Sequence, residues 1–358
     1  MSNSQLTVDS YGHDWHSIRR KKILLKYPQV RDIARAYAVK QHFPTQWLSL
    51  AIVAQIFIAA SLISIKESFG VVIAFLIAIV LAATFGAFVM FASQKLIHDL
   101  SHLKVQKRID RLLALMADML FMSSGPGFAL YYFGYHLLHH KLAGGPNDSC
   151  IPVHESWCRV PKLFTSSRFG RWLWLSMIGF FTMELIIAQN WLVKNKKAHD
   201  NLFVAYNERQ QEFVVTYLFK LLFSIAVVYL FGLVPYLFLR LSSAFAFGAC
   251  AHPFCSFWLI QHASSASNQF QPTISYNGRD WWNRLNLYEL SHVEHHDFPT
   301  VHPSALKQIR QLCIEEYENL YHVSSVRSLI WSWLSLTSGA DWADFGGNRS
   351  RRIEETLS

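Results

Sequence analysis

The chain has few cysteines and no pattern that would use them. Its 358 residues include five cysteines, an odd number, and no two of them are spaced as Cys-x-x-Cys. This argues against a disulfide framework and against a zinc knuckle, and favours a reducing, cytosolic environment. The polar N-terminal segment also lacks the apolar core of a signal peptide, so we expect no cleaved leader.

Charged residues are also scarce. They make up 16% of the chain, whereas 52% of the residues are hydrophobic. This composition is too apolar for an ordinary soluble enzyme and indicates a membrane part joined to a sizeable aqueous part. The net charge of +9 is typical of basic loops beside anionic lipid headgroups. No nucleic-acid-binding motif accompanies it, so we expect no nucleic-acid partner.

The chain contains five apolar runs long enough to span a membrane, at 47–65, 71–93, 172–193, 212–231 and 233–260. Short turns join the first two runs and the last two, which predicts two transmembrane hairpins. Basic residues flank 172–193 on both sides, so we expect this run to lie in the membrane interface; the alternative is that it crosses the bilayer. The fold predicted is an all-α integral membrane protein with four transmembrane helices and a cytosolic helical cap.

The same pattern predicts how the chain is divided. Both termini are expected to be cytosolic, and the run at 112–133 is expected to form helices on the cytosolic face. The predicted segments are a cytosolic N-terminal segment at 1–46, the first hairpin at 47–93, cytosolic or interfacial helices at 94–211, the second hairpin at 212–260 and a cytosolic C-terminal region at 261–358.

Histidines are grouped beside these apolar runs. On a helix, residues three and four apart share a face, so each group can direct two or three imidazoles at one point. A further histidine directly follows the last apolar run and is a candidate ninth ligand; the alternative is a lone interfacial histidine. The candidate metal ligands are His98, His102, His136, His139, His140, His262, His292, His295 and His296.

The number of histidines limits the kind of metal site. Imidazole suits iron, zinc and copper, but a structural zinc site closes with four ligands, and nine histidines exceed two such sites. Two irons with an open position for O₂ fit better, and such a centre can oxidise an unactivated lipid chain. A histidine-rich metal transporter is the alternative of another class, although transporters place their ligands near the bilayer midplane.

Other polar residues have weaker cases. Metal-bound imidazoles need hydrogen-bonding partners, and the candidates for that role are Asn147, Asp148, Glu289 and Asp297. The alternative for all four is a polar residue that faces water and supports no histidine. Histidines outside the groups, His16 among them, are expected at the surface or in the membrane interface. No catalytic residue is predicted beyond the metal centre.

Several motifs resemble those of the membrane-bound fatty acid desaturase superfamily, and within it most closely the sphingolipid Δ4-desaturases (dihydroceramide desaturases). The most specific is the string from Glu294 to Pro299, Glu-His-His-Asp-Phe-Pro. The chain departs from the family pattern where an asparagine normally follows His102 and where Val293 replaces an asparagine. The other matching segments are Arg19 to Pro28, His252-Pro253, Phe257 to His262 and Leu285-Asn286-Leu287.

The resemblance implies a di-iron centre held by all nine histidines, O₂ as co-substrate and an endoplasmic-reticulum membrane. It also implies electrons from cytochrome b5 and its reductase, and because the chain has no His-Pro-Gly-Gly haem motif, the cytochrome is expected to be a separate partner. The expected reaction is a Δ4 desaturation of dihydroceramide or its sphingoid base. Sphingolipid C4-hydroxylation, desaturation of another acyl lipid and a non-catalytic lipid-binding role are the alternatives.

Overall fold

A computed structural model describes residues 15–38, 42–103, 107–122, 127–134, 136–143, 167–170, 172–173, 210–247 and 271–325. These residues are mainly helical. The helices before the gap at 144 are α1 (Trp15–Lys26), α2 (Val30–Ala36), α3 (His42–Phe69), α4 (Val71–Leu81), α5 (Ala87–Ser101), α6 (Arg108–Leu120), α7 (Phe128–Gly134) and α8 (His136–Leu142).

The later elements include two more long helices, four short ones and a small sheet. The helices are α9 (Gln210–Phe231), α10 (Leu233–Phe247), α11 (Asp280–Leu285), α12 (His292–Asp297), α13 (Pro303–Leu312) and α14 (Ile314–Tyr317). Strands β1 (Ser275–Tyr276) and β2 (His322–Val323) pair in parallel, with Ser275 opposite His322 and Tyr276 opposite Val323.

Three of the described helical stretches are long and apolar enough to cross a membrane: Phe43–Phe69, Val71–Ser101 and Val214–Phe231. We call them the first, second and third candidate spans. Gly70, with φ of +87°, separates the first from the second, and Gly232, with φ of +88°, separates α9 from α10. Glycine adopts this left-handed backbone at little cost, which makes both turns tight.

The structure describes only parts of two predicted membrane segments. Apolar helix α10 is described as far as Phe247, and the rest of the predicted run at 233–260 lies outside the described residues. The run at 172–193 lies outside them almost entirely. The prediction of four spans with an interfacial 172–193 therefore stays a prediction.

One π-helical turn, Ala82–Gly86, interrupts the second candidate span between α4 and α5. A Cβ atom on Gly86 would lie 2.2 Å from the Ser242 hydroxyl of α10, so glycine allows the two helices to approach closely here. Gln55 of α3 donates a hydrogen bond of 3.3 Å to the Gly86 carbonyl oxygen. A π turn changes the direction of the side chains that follow it, and here those side chains lead to the first histidines.

Helix α6 is amphipathic. Its buried Asp118 accepts hydrogen bonds from the backbone N–H groups of Phe128 and Ala129, at the start of α7, and pairs with Lys220 of α9 at 2.7 Å. The opposite face leaves apolar side chains half exposed, as expected of a helix lying against lipid. Those side chains are Ile109, Leu112, Leu115 and Met116.

The described residues form two apolar cores. The larger joins the three candidate spans with α6, α7 and α10. The smaller packs α1 and α2, through Ile23 and Val30, against Val293, Ile309 and Tyr317 of the C-terminal helices. The start of the described chain is thus docked on the segment that carries the last histidine group.

Candidate metal centre

Three helix segments bring eight histidines together. His98 and His102 lie at the end of α5, where the second candidate span finishes. The short helices α8 and α12 each carry three more, in the order His-x-x-His-His. Every histidine predicted as a ligand within the described part of the chain is in this assembly. The ninth, His262, lies outside the described residues.

Five of the histidines converge on one point, and we call them the five-histidine cluster. Their ligand nitrogens all lie within 4.8 Å of one another. The Nε2 atom of His98 is 3.3 Å from that of His102 and 3.1 Å from that of His295. The Nε2 atoms of His136 and His140 are 2.9 Å apart. The cluster consists of His98, His102, His136, His140 and His295.

The other three histidines form the three-histidine cluster. The ligand nitrogens of His139, His292 and His296 also lie within 4.8 Å of one another, and all three side chains are buried. The ring of His296 stacks on that of His140 with centroids 4.0 Å apart, so the two clusters are adjacent. The arrangement offers two neighbouring sets of nitrogen donors.

The donor set fits metal cations. Burial, and then the neighbouring histidines, hold the pKa values of His102, His136, His140 and His295 well below the ordinary value. These imidazoles are therefore neutral at neutral pH, as metal ligands must be. Neutral rings whose Nε2 atoms crowd together present lone pairs to one another, and a cation between them would satisfy those lone pairs. The same donors suit iron, zinc or copper.

A buried ion cluster supports the first histidine pair. Asp99 lies 3.1 Å from His98 Nδ1, on the side of the ring that faces away from the five-histidine cluster. Lys95, one turn earlier, bonds to Asp99 and pairs with Glu289 at 3.0 Å. We call these three residues the Lys95 cluster. A carboxylate on the far nitrogen of a ligand histidine fixes the tautomer and the orientation of its ring.

Glu289, predicted to support the ligand histidines, reaches one of them only loosely. Its carboxylate is 4.0 Å from His292 Nδ1, longer than a hydrogen bond, and its stronger partner is Lys95. The two residues before it, Leu287 and Tyr288, have φ of +52° and +60°. Such left-handed backbone costs about 1–3 kcal/mol per non-glycine residue and typically persists where the surroundings require it. Here it turns the chain so that Glu289 faces Lys95.

A second buried cluster lies behind the last histidine group. Asp297 accepts hydrogen bonds from His16 Nδ1 at 2.7 Å, from the Tyr317 hydroxyl at 3.0 Å and from Arg19 at 3.3 Å. Burial alone would raise the pKa of Asp297, but Arg19 and then His16 hold it below the ordinary value. We call these four residues the Asp297 cluster. The support that Asp297 gives is therefore exerted through α1 and α14.

His16 is not at the surface, and the expectation that placed it there is wrong. Only 4% of its area is exposed, and its ring centroid is 4.8 Å from that of His296. Its Nε2 lies 3.0 Å from the Thr273 hydroxyl. The helix that carries it, α1, packs over α12, a contact that no local sequence pattern indicates. His16 thus fixes the wall behind the three-histidine cluster.

Glu294 is a further buried acid. It begins the most specific motif, but it was not among the residues predicted to support the histidines. Its carboxylate accepts a hydrogen bond from the Ser275 hydroxyl of β1 and another, of 2.8 Å, from Arg310 of α13. These bonds join α12 to its neighbours on the side away from the histidines. The other two predicted supporting residues, Asn147 and Asp148, lie outside the described residues.

Comparison with known proteins identifies the same family that the sequence motifs resemble. Residues 71–327 match the fatty acid desaturase family. The sphingolipid delta(4)-desaturase DES1 of Drosophila melanogaster is 27% identical over 327 residues, 89% of this chain and 88% of the fly protein. The sphingolipid delta(4)-desaturase/C4-monooxygenase DES2 of Homo sapiens is 27% identical over 330 residues, 90% and 89% of the two chains. No solved structure matches.

Proposed function

Because the chain belongs to the fatty acid desaturase family, we propose that it is an O₂-dependent desaturase that introduces a Δ4 double bond into dihydroceramide or its sphingoid base. Membership makes it an oxidoreductase, as its motifs predicted. The observation that carries the proposal is the convergence of eight histidines, seven of them buried and His140 partly buried, at the end of a candidate span. A metal centre placed there would be within reach of a lipid chain.

The metal proposed is a pair of irons. The five-histidine cluster would hold one and the three-histidine cluster the other, with His262 as a ninth ligand. Iron bound there would activate O₂, the oxidant needed to take hydrogen from an unactivated carbon chain. The overall balance is one O₂, two electrons and two protons for each pair of hydrogens taken from the lipid, with two waters as product. Cytochrome b5 and its reductase are the proposed electron donors.

The residues of the chain prepare the site for this chemistry. Burial keeps the imidazoles of His102, His136, His140 and His295 neutral, and a buried site would exclude water from the reacting region. The Lys95 cluster orients His98, and the Asp297 cluster fixes α12. These buried ion pairs and hydrogen bonds would hold the donor nitrogens in position for a metal.

We also propose the predicted membrane arrangement: four spans in two hairpins, both termini and the metal centre on the cytosolic side of the endoplasmic-reticulum membrane. Three candidate spans and the glycine turns at Gly70 and Gly232 support it. The start of the first candidate span and the end of the second lie on the same side of a hairpin. That side carries His98, so the histidines lie at the mouth of the hairpin.

C4-hydroxylation of the same lipid is the second candidate. The name of the human relative includes C4-monooxygenase as well as delta(4)-desaturase, so related chains are associated with both outcomes. A histidine-rich metal transporter is disfavoured, because the chain belongs to an enzyme family and its histidines lie at a span end.

Product analysis would test the proposal. Cells expressing the chain would be fed labelled dihydroceramide and labelled free acyl substrates, and the lipids analysed by mass spectrometry. Loss of two hydrogens from dihydroceramide is expected, whereas gain of one oxygen would identify a hydroxylase. Conversion of the free acyl substrate alone, or of no lipid by iron-loaded protein supplied with electrons, would refute the proposed activity.

A further inference from the structure

An apolar groove runs along the outside of the hairpin, next to the metal centre but separate from it. Its volume is about 480 Å³, within the ~300–1,000 Å³ range of ligand pockets. Its walls come from the first candidate span and from the π turn and α5 of the second. The side chains that define it are Trp47, Leu50 and Ala54 on one wall and Phe85, Val89 and Ala92 on the other.

The groove opens sideways, towards the lipid that would surround the spans. About half of each of Trp47, Leu50 and Phe85 is exposed along its walls. From Phe43 to Ala54 the helix rises ~16 Å at ~1.5 Å per residue. This length matches one leaflet of a hydrocarbon core that is ~30 Å thick. The shape and the lining therefore fit one hydrocarbon chain of one leaflet.

The inner end of the groove lies next to His98, on the side of the ring that carries Nδ1. Lys95 and Asp99 line this end. Asp99 contacts His98 on Nδ1, whereas His98 Nε2 faces His295 and the five-histidine cluster. The His98 ring and the Lys95–Asp99 ion pair therefore separate the groove from the donor nitrogens. A chain lying in the groove would not present a carbon atom to a metal bound by those nitrogens.

We propose that this groove binds the chain of a two-chain lipid substrate that is not oxidised, the N-acyl chain of a ceramide-like molecule, while its other chain reaches the metal centre. The proposal rests on the proposed function and assigns it a second chain site. Two chains diverge from one headgroup, and α5 would stand between them. Tyr288 and His302 lie at the metal-centre end of the groove, at the level where that headgroup would be held.

A photolabelling experiment tests which chain occupies the groove. Full-length protein in membranes would be exposed to dihydroceramide carrying a diazirine either at the end of the N-acyl chain or at the end of the sphingoid chain. The N-acyl probe is expected to label peptides of 43–54 or 85–99, and unlabelled dihydroceramide should compete with it. Labelling of these peptides by the sphingoid probe would overturn the proposal. So would labelling that dihydroceramide does not reduce, because ordinary bilayer lipid would then be the occupant.

Variants that narrow the groove give a second readout. Ala54→Phe and Ala92→Phe place a ring in the groove from opposite walls, and Ala60→Phe adds the same ring at an exposed position of α3. The groove variants should lower N-acyl photolabelling and the kcat/KM for long N-acyl chains roughly tenfold or more. Activity on N-acetyl dihydrosphingosine should stay unchanged, and Ala60→Phe should change neither. Equal losses on long and short N-acyl substrates would overturn the proposal.

Failure of the groove and failure of the proposed reaction are distinguishable. If wild-type protein converts dihydroceramide but the N-acyl probe labels peptides outside the groove, the reaction stands and the second-chain site is wrong. If no dihydroceramide is converted but the N-acyl probe labels the groove in competition with dihydroceramide, the chain site stands and the assigned reaction is wrong.

Discussion

The two buried ion clusters behind the histidines are built in opposite ways. In the Lys95 cluster, one cation faces two carboxylates, and its central pair, Lys95 and Asp99, is four residues apart on one helix. In the Asp297 cluster, one carboxylate faces Arg19 and His16, which are 278 and 281 residues away in the chain. The central pair of the first cluster forms within α5 and only Glu289 comes from elsewhere, whereas the second cluster forms only when α1 docks on α12.

The two ends of the candidate metal centre, the His98–His102 pair and the last histidine group, therefore depend on different contacts. The His98–His102 pair is organised by its own helix and by the hairpin beneath it. The last histidine group depends on a distant segment, so α1 belongs to the candidate metal centre. A buried carboxylate that loses its partners is costly, about 3–5 kcal/mol where one member of a buried ion pair is removed. We therefore expect the two clusters to respond differently to the loss of charge.

The largest loss of activity and of iron should follow the removal of a histidine from the five-histidine cluster, whichever end supplies that histidine. His98→Ala and His295→Ala each remove a nitrogen from the five-histidine cluster, to which both ends contribute. Both variants should abolish turnover and lower the iron content of purified protein. His322→Ala, in strand β2 and outside the two clusters, is the matched control and should retain both. Full activity in either ligand variant would mean that the two ends do not share one site.

The next largest effect, a loss of iron affinity, should distinguish the Asp297 cluster from the Lys95 cluster. Asp297→Asn removes the only carboxylate that faces Arg19 in the Asp297 cluster, and it weakens the hydrogen bond from His16. Loss of a partner bonded directly to a metal ligand typically costs about 10–100-fold in metal affinity or activity. Because Asp297 acts through α1 and α14, we expect a loss at the lower end of this range, about 10-fold. Iron titration of purified protein would measure this loss. Asp32→Asn, at an exposed position of α2, is the control. An unchanged iron affinity would show that α1 does not support the centre.

Much of the local architecture was predictable. The tight turns between apolar runs follow from glycine and from run length, and the histidine spacings indicated which side chains share a helical face. The structure places those side chains together, although their role as ligands stays a prediction. The match over residues 71–327 confirms the family prediction. That prediction was possible because the motif around His295 is specific.

The rest depended on contacts that leave no local pattern. Nothing near His16 indicates that Asp297 is its partner, so a buried residue was expected at the surface. Lys95 and Asp99 have the spacing of a helical ion pair, but their burial becomes evident only once Glu289 is placed beside them. The π turn at Ala82–Gly86 ends where Gly86 packs closely against α10, a contact that apolar composition alone does not indicate.

A smaller effect is expected when one charge is removed from the Lys95 cluster. Glu289→Gln leaves Lys95 paired with Asp99 alone, so one cation then faces one carboxylate and the amide can still accept a hydrogen bond from Lys95. Iron affinity should fall by less than the about 10-fold lower bound expected for Asp297→Asn. The same iron titration would compare the two variants. A loss equal to that of Asp297→Asn would show that both carboxylates of the Lys95 cluster are required and that the contrast between the clusters is false.

The smallest effect should come from the outer edge of the same α1 contact. Lys26 bonds to Glu315 at 2.7 Å, and both side chains are about half exposed or more. The longer contact of Lys26, at 3.3 Å, is to Glu316, which would keep Lys22 as a partner at 2.7 Å. Exposed ion pairs contribute little, because water screens them and two long side chains must be held in place. Lys26→Ala should therefore leave iron content unchanged and barely shift the thermal unfolding midpoint, whereas Arg19→Ala, at a largely buried position facing Asp297, should lower both. If Lys26→Ala releases iron as Arg19→Ala does, docking of α1 as a whole, rather than the buried charge on Asp297, holds the last histidine group in place.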